Sequence, residues 1–146
     1  MVDEQLKAQM QHRAALFRRL VERYGPSVLE LVREFTVETT RNRLEAAELE
    51  RRDLDTVMEI LWDQMVEGTE FEVKERSNRA LRLRVTKCLF ADEMRRLGAA
   101  DIGDAFYCAY DFGFCEGLNP SIRFTRTKTL MDGDDCCNHT YELKGE

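Results

Sequence analysis

The chain has 146 residues, of which 43% are apolar and 34% charged, and its formal net charge is −6. This length and balance are typical of one soluble globular domain, 1–146, and the acidic excess argues against nucleic acid as a partner. No stretch approaches the ~18 consecutive apolar residues of a membrane span, and the N-terminal sequence lacks the apolar core of a signal peptide. We therefore expect a cytoplasmic location, no membrane partner, and five cysteines that are reduced thiols.

The first part of the chain, 1–68, has the apolar spacing of helices. A first helix is predicted from 3 to 24. Gly25-Pro26 ends it and starts a second helix that continues to Leu49. Asp53 is placed to cap a third helix, because its side chain can accept hydrogen bonds from the first free backbone N–H groups. Three helices are thus predicted before the sheet begins.

The second part of the chain, 69–146, changes to the alternating apolar pattern of strands. It predicts two hairpins separated by two short helices: 71–75 with 81–88, then 90–98 and 101–117, then 121–131 with 136–143. The order ααα-ββ-αα-ββ predicts an α+β fold with a four-stranded antiparallel sheet covered by helices. The order of the strands within the sheet does not follow from the sequence.

The adjacent pair Cys136-Cys137 lies in the last predicted strand. Successive side chains of a strand point to opposite faces of the sheet, so the two thiols cannot serve one site. Two sets of side chains result: Cys137, His139 and Tyr141 on one face, and Cys136, Asn138 and Thr140 on the other. Cys137 is therefore the thiol that can accompany His139 in a site.

Cysteines and aspartates also recur in the helical stretch between the two hairpins. Asp104, Cys108, Asp111 and Cys115 have the spacing of one helix face, which is predicted over 101–117. At 1.5 Å per residue the two cysteines lie about 10 Å apart along the axis, too far to hold one ion. The pair that can converge on a ligand is therefore Cys108 with Asp111.

Cys88 lies between a strand and a helix. It ends the second predicted strand and immediately precedes the helix predicted over 90–98. The positive end of the helix dipole lowers the pKa of a thiol at this position and favours the thiolate. The position therefore permits a reactive cysteine.

Each of these residues also has an ordinary structural interpretation. A buried cysteine is more often a small hydrophobic residue than a ligand or a nucleophile, and a histidine on a strand is often simply exposed or hydrogen-bonded. Cys115 and Cys136 are expected to be core residues. For Cys88, Cys108 and Cys137, a role in a site and a role in the core both stay open.

The second half of the chain contains a recognisable set of motifs. They lie in residues 84–139, with the sequence RVTKCLFADEMRRLGAADIGDAFYCAYDFGFCEGLNPSIRFTRTKTLMDGDDCCNH. The matching features are Cys88, Leu97-Gly98, Cys108 with Asp111, the GLNP stretch, the threonine-rich FTRTKTL, and Gly133-Asp134-Asp135 before Cys137 and His139. This combination resembles the L-2-amino-thiazoline-4-carboxylic acid hydrolase family. The helical first half fits the same architecture.

The resemblance implies a hydrolase that acts on carbon–nitrogen bonds of cyclic amidines. In the reaction that gives the family its name, a thiazoline ring opens to an N-carbamoyl-cysteine product. Addition of water to the amidine carbon requires a nucleophile, a proton source for the ring nitrogen, and stabilisation of the tetrahedral intermediate. The small-molecule substrate would carry a carboxylate.

The residues suggest a hypothesis for each of these roles. Asp111 would transfer a proton to the ring nitrogen, and His139 would activate water or the thiol of Cys137 or Cys88 as a covalent nucleophile. Arg126 would hold the substrate carboxylate in a bidentate pair. Two further residues are predicted to contact the substrate: Cys108 and Tyr141.

Three alternatives compete with hydrolysis. Four of the same residues would make a tetrahedral zinc site: Cys88, Cys108, Cys137 and His139. Without catalysis, the same pocket would serve a small-molecule sensor or binding module. The long, highly charged helices are also compatible with an interaction protein or a homodimer, although no sequence feature requires either.

Overall fold

The computed structural model describes residues 3–145, and its elements follow the predicted order of helices and strands. The helices are α1 Glu4–Tyr24, α2 Ser27–Ala46, α3 Leu54–Ile60, α4 Leu89–Arg96, α5 Ala100–Gly103 and α6 Tyr110–Leu118. The strands are β1 Glu70–Arg76, β2 Ala80–Lys87, β3 Ile122–Thr125 and β4 Cys137–Leu143. A 3-10 turn, Trp62–Gln64, follows α3, and a π-helical segment, Asp104–Cys108, lies between α5 and α6. The predicted α+β class is confirmed.

The four strands form one antiparallel sheet in the order β1-β2-β4-β3. On the shared register of β2 and β4, Leu83 lies opposite His139 and Val85 opposite Cys137, while Phe124 of β3 lies opposite Tyr141. Along β2 and β4 these inward side chains alternate with more exposed ones, as expected for a sheet that is covered on one face. The alternation predicted for Cys137, His139 and Tyr141 is therefore confirmed.

The buried side chains form two clusters. The larger cluster lies between the covered face of the sheet and the helices α3 and α6, with Trp62, Phe114 and Tyr141 as its largest members. The second cluster joins α1 to α4 and α5 and includes Met10, Met94 and Met131. No helix within residues 3–145 is both long enough and apolar enough to cross a membrane.

Local residues set the start of the third helix and the end of the first, as the sequence predicts. The Asp53 carboxylate accepts a hydrogen bond from the Thr56 backbone N–H (2.9 Å), and the Thr56 hydroxyl accepts one from the Asp53 backbone N–H (3.2 Å), so the predicted cap of α3 is confirmed as a capping box. Gly25 ends α1 with a φ of 90°, a conformation that glycine adopts without strain. α2 ends at Ala46 and not at Leu49.

Helices α2 and α6 pack closely because α6 carries two glycines on the contact face. A Cβ at Gly113 would collide with the Val37 carbonyl, and one at Gly117 with the Arg41 carbonyl. The Arg52 guanidinium then joins the ends of both helices: its N–H groups donate to the carbonyls of Leu44, Ala47, Gly117 and Leu118 at 2.6–3.1 Å. These contacts fix the position of α6, which carries Asp111.

The stretch 101–117 is helical as predicted, but a π-helical segment divides it, so the regular helix face predicted for it is wrong. The Ala109 N–H donates to the Asp104 carbonyl, five residues earlier, at 3.0 Å. One extra residue in a turn rotates the following side chains away from the regular helix face. As a result, the predicted stripe is divided: Asp104 pairs with Arg33 of α2, Cys115 lies in the core, and the other two members reach a cavity.

The strand predicted over 121–131 ends early, at Thr125. The Asn138 side chain accepts hydrogen bonds from the backbone N–H groups of Thr127 and Lys128, both at 2.8 Å, which fold the chain out of the sheet. Arg126 is at the point where the chain leaves the strand. Its side chain is consequently free to reach α6 instead of a cross-strand neighbour.

Candidate functional site

A cavity of about 350 Å³ lies between the covered face of the sheet, the α3 region, α4 and the start of α6. This volume is within the range of small-molecule sites, about 300–1,000 Å³. Its walls are mainly apolar and aromatic. Six of the seven predicted catalytic or substrate-contacting residues line it: Cys88, Cys108, Asp111, Arg126, Cys137 and His139. Side chains from four separate segments of the chain therefore meet in one place.

The charged part of the cavity is a buried ion pair between Asp111 and Arg126. Arg126 Nη1 donates to Asp111 Oδ2 at 2.6 Å. The arginine side chain is only 5% exposed and the aspartate side chain 13%. Arg126 Nη2 also donates to the Cys108 carbonyl at 3.1 Å. The guanidinium carbon lies 5.3 Å from the ring centre of Phe112 and 5.4 Å from that of Phe124. The arginine is thus held rigidly, with further N–H groups available to a ligand.

The Asp111 carboxyl is close to balance between its two protonation states. Burial raises its pKa to about 6, and the charge and hydrogen bond of Arg126 oppose that rise. A carboxyl group with a pKa near the working pH can both release and accept a proton. The predicted proton-transfer role of Asp111 is therefore compatible with its surroundings.

His139 is held in an aromatic environment and stays neutral. Its ring makes an edge-to-face contact with Trp62, with 4.8 Å between ring centres, and Nδ1 lies 3.3 Å from the Tyr141 hydroxyl. That hydroxyl accepts from Trp62 Nε1 at 3.1 Å, so its own proton can go to His139 Nδ1 and leave the imidazole proton on Nε2. Burial lowers the pKa of His139 to about 3. The ring is therefore a weak base and a good hydrogen-bond donor.

Tyr141 lies behind His139 and does not line the cavity. The hydroxyl group is fully buried and already bonded to two neighbours, Trp62 and His139. Tyr141 is consequently placed to orient the imidazole, and the predicted contact with a substrate has no direct route in this arrangement.

The three thiols of the cavity are neutral. Burial raises the pKa of Cys88, and it raises that of Cys108 to about 12 and that of Cys137 to about 11. The expectation of a thiolate at Cys88 is wrong: hydrogen bonds from the backbone of Ala91 and Phe90 lower its pKa, but the effect of burial is larger. A cysteine nucleophile here would need to lose its proton as it attacks.

The two remaining cysteines lie outside the cavity. Cys115 is 3% exposed and Cys136 is 5% exposed, and both pack as small hydrophobic residues, as the sequence predicts.

The zinc alternative does not fit the described residues. In the range 3–145, no three side chains of the His, Cys, Asp and Glu types converge as metal ligands do. The proposed Cys₃His set of Cys88, Cys108, Cys137 and His139 is therefore wrong as a tetrahedral site.

Two features of the cavity are not predictable from sequence patterns. Phe90 of α4 stacks on Tyr107 of the π-helical segment, with 4.5 Å between ring centres, and both rings line the cavity. Thr69, just before β1, also lines it, and its hydroxyl oxygen is buried without a hydrogen-bond partner. A single threonine at the start of a strand carries no sequence signal that would identify it.

The fold and the cavity together define a class: an α+β domain with an internal cavity of small-molecule size and a buried carboxylate–guanidinium pair on its wall. Comparison with protein families then identifies the family. The model of the L-2-amino-thiazoline-4-carboxylic acid hydrolase family matches residues 4–141, and the chain belongs to this family. The resemblance seen in the sequence is thereby confirmed, and it extends over nearly the whole chain.

Two further comparisons add only a similarity of fold. A search of curated proteins found no match. Among solved structures, the chain is similar to a trafficking protein particle complex subunit 3 from Naegleria fowleri covalently bound to palmitic acid. The TM-score is 0.54, the sequence identity is 12%, and the alignment covers 95% of each chain. At this identity the similarity shows a shared fold.

Proposed function

We propose that this protein is a hydrolase that opens a small cyclic amidine bearing a carboxylate, of the type of L-2-amino-thiazoline-4-carboxylate. The observation that carries the proposal is the buried Asp111–Arg126 pair on the wall of a small-molecule cavity. Membership of the hydrolase family supports the reaction class. A protonated Asp111 donates to the ring nitrogen, which makes the amidine carbon electrophilic, and Arg126 binds the substrate carboxylate.

A single carboxyl group, that of Asp111, can supply and accept the protons that the reaction moves. Water adds its oxygen to the amidine carbon, and the carboxylate of Asp111, after giving its proton to nitrogen, accepts one from the adding water. His139 donates a hydrogen bond from Nε2 to the new oxygen instead of acting as the base, because its imidazole is neutral with a low pKa. The intermediate then collapses: one ring bond breaks as the carbonyl forms, Asp111 gives the proton taken from water to the leaving ring atom, and its carboxylate takes up the proton of the hydroxyl.

The ring bond that breaks determines the product. An N-carbamoyl-cysteine product requires cleavage of the ring carbon–sulfur bond, with the thiol as leaving group. Cleavage of the ring carbon–nitrogen bond, as the resemblance suggested, would give S-carbamoyl-cysteine instead. The two products have equal mass, but only the N-carbamoyl product has a free thiol. Reaction with a thiol reagent therefore distinguishes them.

The test is turnover of L-2-amino-thiazoline-4-carboxylate by the full chain, followed by chromatography and thiol titration. We expect Asp111→Asn to reduce kcat at least about 100-fold, the usual contribution of a general acid. Asp101→Asn is the matched control, because Asp101 also pairs with an arginine, Arg18 at 2.7 Å, but lies outside the cavity. Absence of turnover in the wild type, or full activity in Asp111→Asn, contradicts the proposal.

A second candidate function is the binding of an apolar acyl chain. It is favoured by the mainly apolar cavity wall and by the similar fold of the protein described as covalently bound to palmitic acid. In that case a cavity thiol such as Cys88 would form a thioester with an activated acyl donor and release the donor's thiol. Incubation with palmitoyl-coenzyme A followed by intact-mass measurement tests this. A mass gain of one palmitoyl group that hydroxylamine removes supports it, and an unchanged mass counts against it.

A further inference from the structure

Thr69 is the strongest feature of the cavity that the proposed reaction leaves unused. It lies between the 3-10 turn and β1 and lines the cavity. Its Oγ1 is enclosed by protein atoms and has no hydrogen-bond partner, and it is the only such buried side-chain oxygen or nitrogen within residues 3–145. Buried polar groups in folded proteins are nearly always paired, so an exception calls for an explanation.

The position of Thr69 is fixed by its neighbours. Glu70 pairs with Lys87 at the end of the β1–β2 ladder, so Thr69 and Cys88 are the next residues on the two strands, and both line the cavity. Gly68 packs against Leu89, the first residue of α4. The hydroxyl is therefore carried by a wall different from the one formed by α6 and the segment after β3.

The threonine side chain can turn its hydroxyl toward a ligand. Oγ1, the methyl group and a hydrogen are attached to Cβ, and rotation about χ1 to another staggered position moves Oγ1 to the place held by one of the other two. Such a rotation breaks no hydrogen bond, because Oγ1 has none in the described structure. A polar ligand atom in the cavity would supply the missing partner.

We propose that Thr69 positions the substrate by accepting a hydrogen bond from its exocyclic amino group. This inference rests on the proposed function. When Arg126 binds the carboxylate and Asp111 the ring nitrogen, the amino group is the polar donor of L-2-amino-thiazoline-4-carboxylate that is still without a partner. Thr69 then completes a three-point attachment and distinguishes amino-substituted rings from rings that lack the amino group.

The experiment compares Thr69→Val, which replaces the hydroxyl with a methyl group of similar shape, with Thr69→Ser, which keeps the hydroxyl. Both are assayed with L-2-amino-thiazoline-4-carboxylate, and urea midpoints are measured without substrate. We expect Thr69→Val to lower kcat/KM about 10-fold, mainly through KM, and Thr69→Ser to retain most activity. The urea midpoint of Thr69→Val should equal or exceed that of the wild type, because no hydrogen bond is lost.

The outcomes separate this inference from the proposed function. If the wild type turns the substrate over and Thr69→Val has wild-type kinetics, the inference is wrong and the proposed function stands. A lower urea midpoint for Thr69→Val also overturns it, since the hydroxyl would then have a partner in the free protein. If the wild type shows no turnover, the proposed function fails and the inference fails with it.

Discussion

The buried carboxyl of Asp111 makes the stability of the protein depend on pH in an unusual direction. Its pKa is about 6 in the folded chain, against an ordinary value of 3.8, because burial disfavours the charged form. The folded protein therefore holds this proton more tightly than the unfolded chain does. The resulting stabilisation is complete below pH 3.8 and is lost as the pH rises through about 6.

The magnitude follows from the two pKa values. At about 1.4 kcal/mol per pKa unit, the difference corresponds to about 3 kcal/mol between pH 3.8 and neutral pH. We propose to measure the free energy of unfolding by urea between pH 4 and 8 for the wild type and for Asp111→Asn. The wild-type value minus the variant value should fall by about 3 kcal/mol across this range. In Asp111→Asn, Arg126 loses its carboxylate partner. Because an arginine stays protonated throughout this pH range, that loss changes the free-energy difference by the same amount at every pH.

A control with the opposite sign is available at the surface. Arg18 lowers the pKa of Asp101 by a hydrogen bond, so the contribution of this group is present above the ordinary pKa and is lost as the pH falls. The corresponding difference for Asp101→Asn should therefore rise only as the pH increases toward 3.8 and stay nearly constant from pH 4 to 8, where that for Asp111→Asn falls. A difference for Asp111→Asn that is constant from pH 4 to 8 would refute the reasoning, since it would mean that burial does not perturb the carboxyl.

Three other substitutions test the surroundings of the cavity. Tyr141→Phe leaves the buried N–H of Trp62 unpaired, so urea unfolding should show a loss of about 1–3 kcal/mol. Gly117→Ala forces α6 away from α2 and should lower the free energy of unfolding by at least about 1 kcal/mol in the same assay, although alanine is the better helix former. An unchanged free energy of unfolding would refute the close packing. Arg126→Met removes the cation that lowers the pKa of Asp111, so the loss of stability that begins near pH 3.8 should continue to a pH roughly 1–3 units higher than in the wild type. An unchanged upper limit would contradict the pairing.

The features predicted correctly depend on local patterns. The alternation in the last strand identifies the side chains that share a face with His139, because a period of two is a property of the strand itself. The cap at Asp53 is equally local, since both of its hydrogen bonds join residues only three apart. The family motifs also lie within the short stretch 84–139. Patterns among residues close together in the sequence are thus sufficient to predict the strand face, the helix cap and the family.

The features predicted wrongly depend on contacts between distant segments. β3 ends early because Asn138, more than ten residues away, binds the backbone at Thr127. The helix through Asp111 is interrupted by a π-helical segment that no periodicity announces. For Cys88, the helix dipole was the visible effect in the sequence, whereas burial, which depends on the whole fold, has the larger influence on the pKa. Side-chain environments of this kind cannot be obtained from spacing.

The same environment connects substrate binding with the proposed reaction. The Asp111–Arg126 pair has no net charge, so a carboxylate that binds to Arg126 adds a negative charge to a cavity with few polar groups. The thiols of Cys108 and Cys137 have pKa values near 12 and 11, and His139 has one near 3, so none of these groups can take up a proton close to neutral pH. Asp111 can, because an added anion raises its pKa further above 6. Under the proposed function, substrate binding therefore loads the carboxyl with the proton that the ring nitrogen then receives.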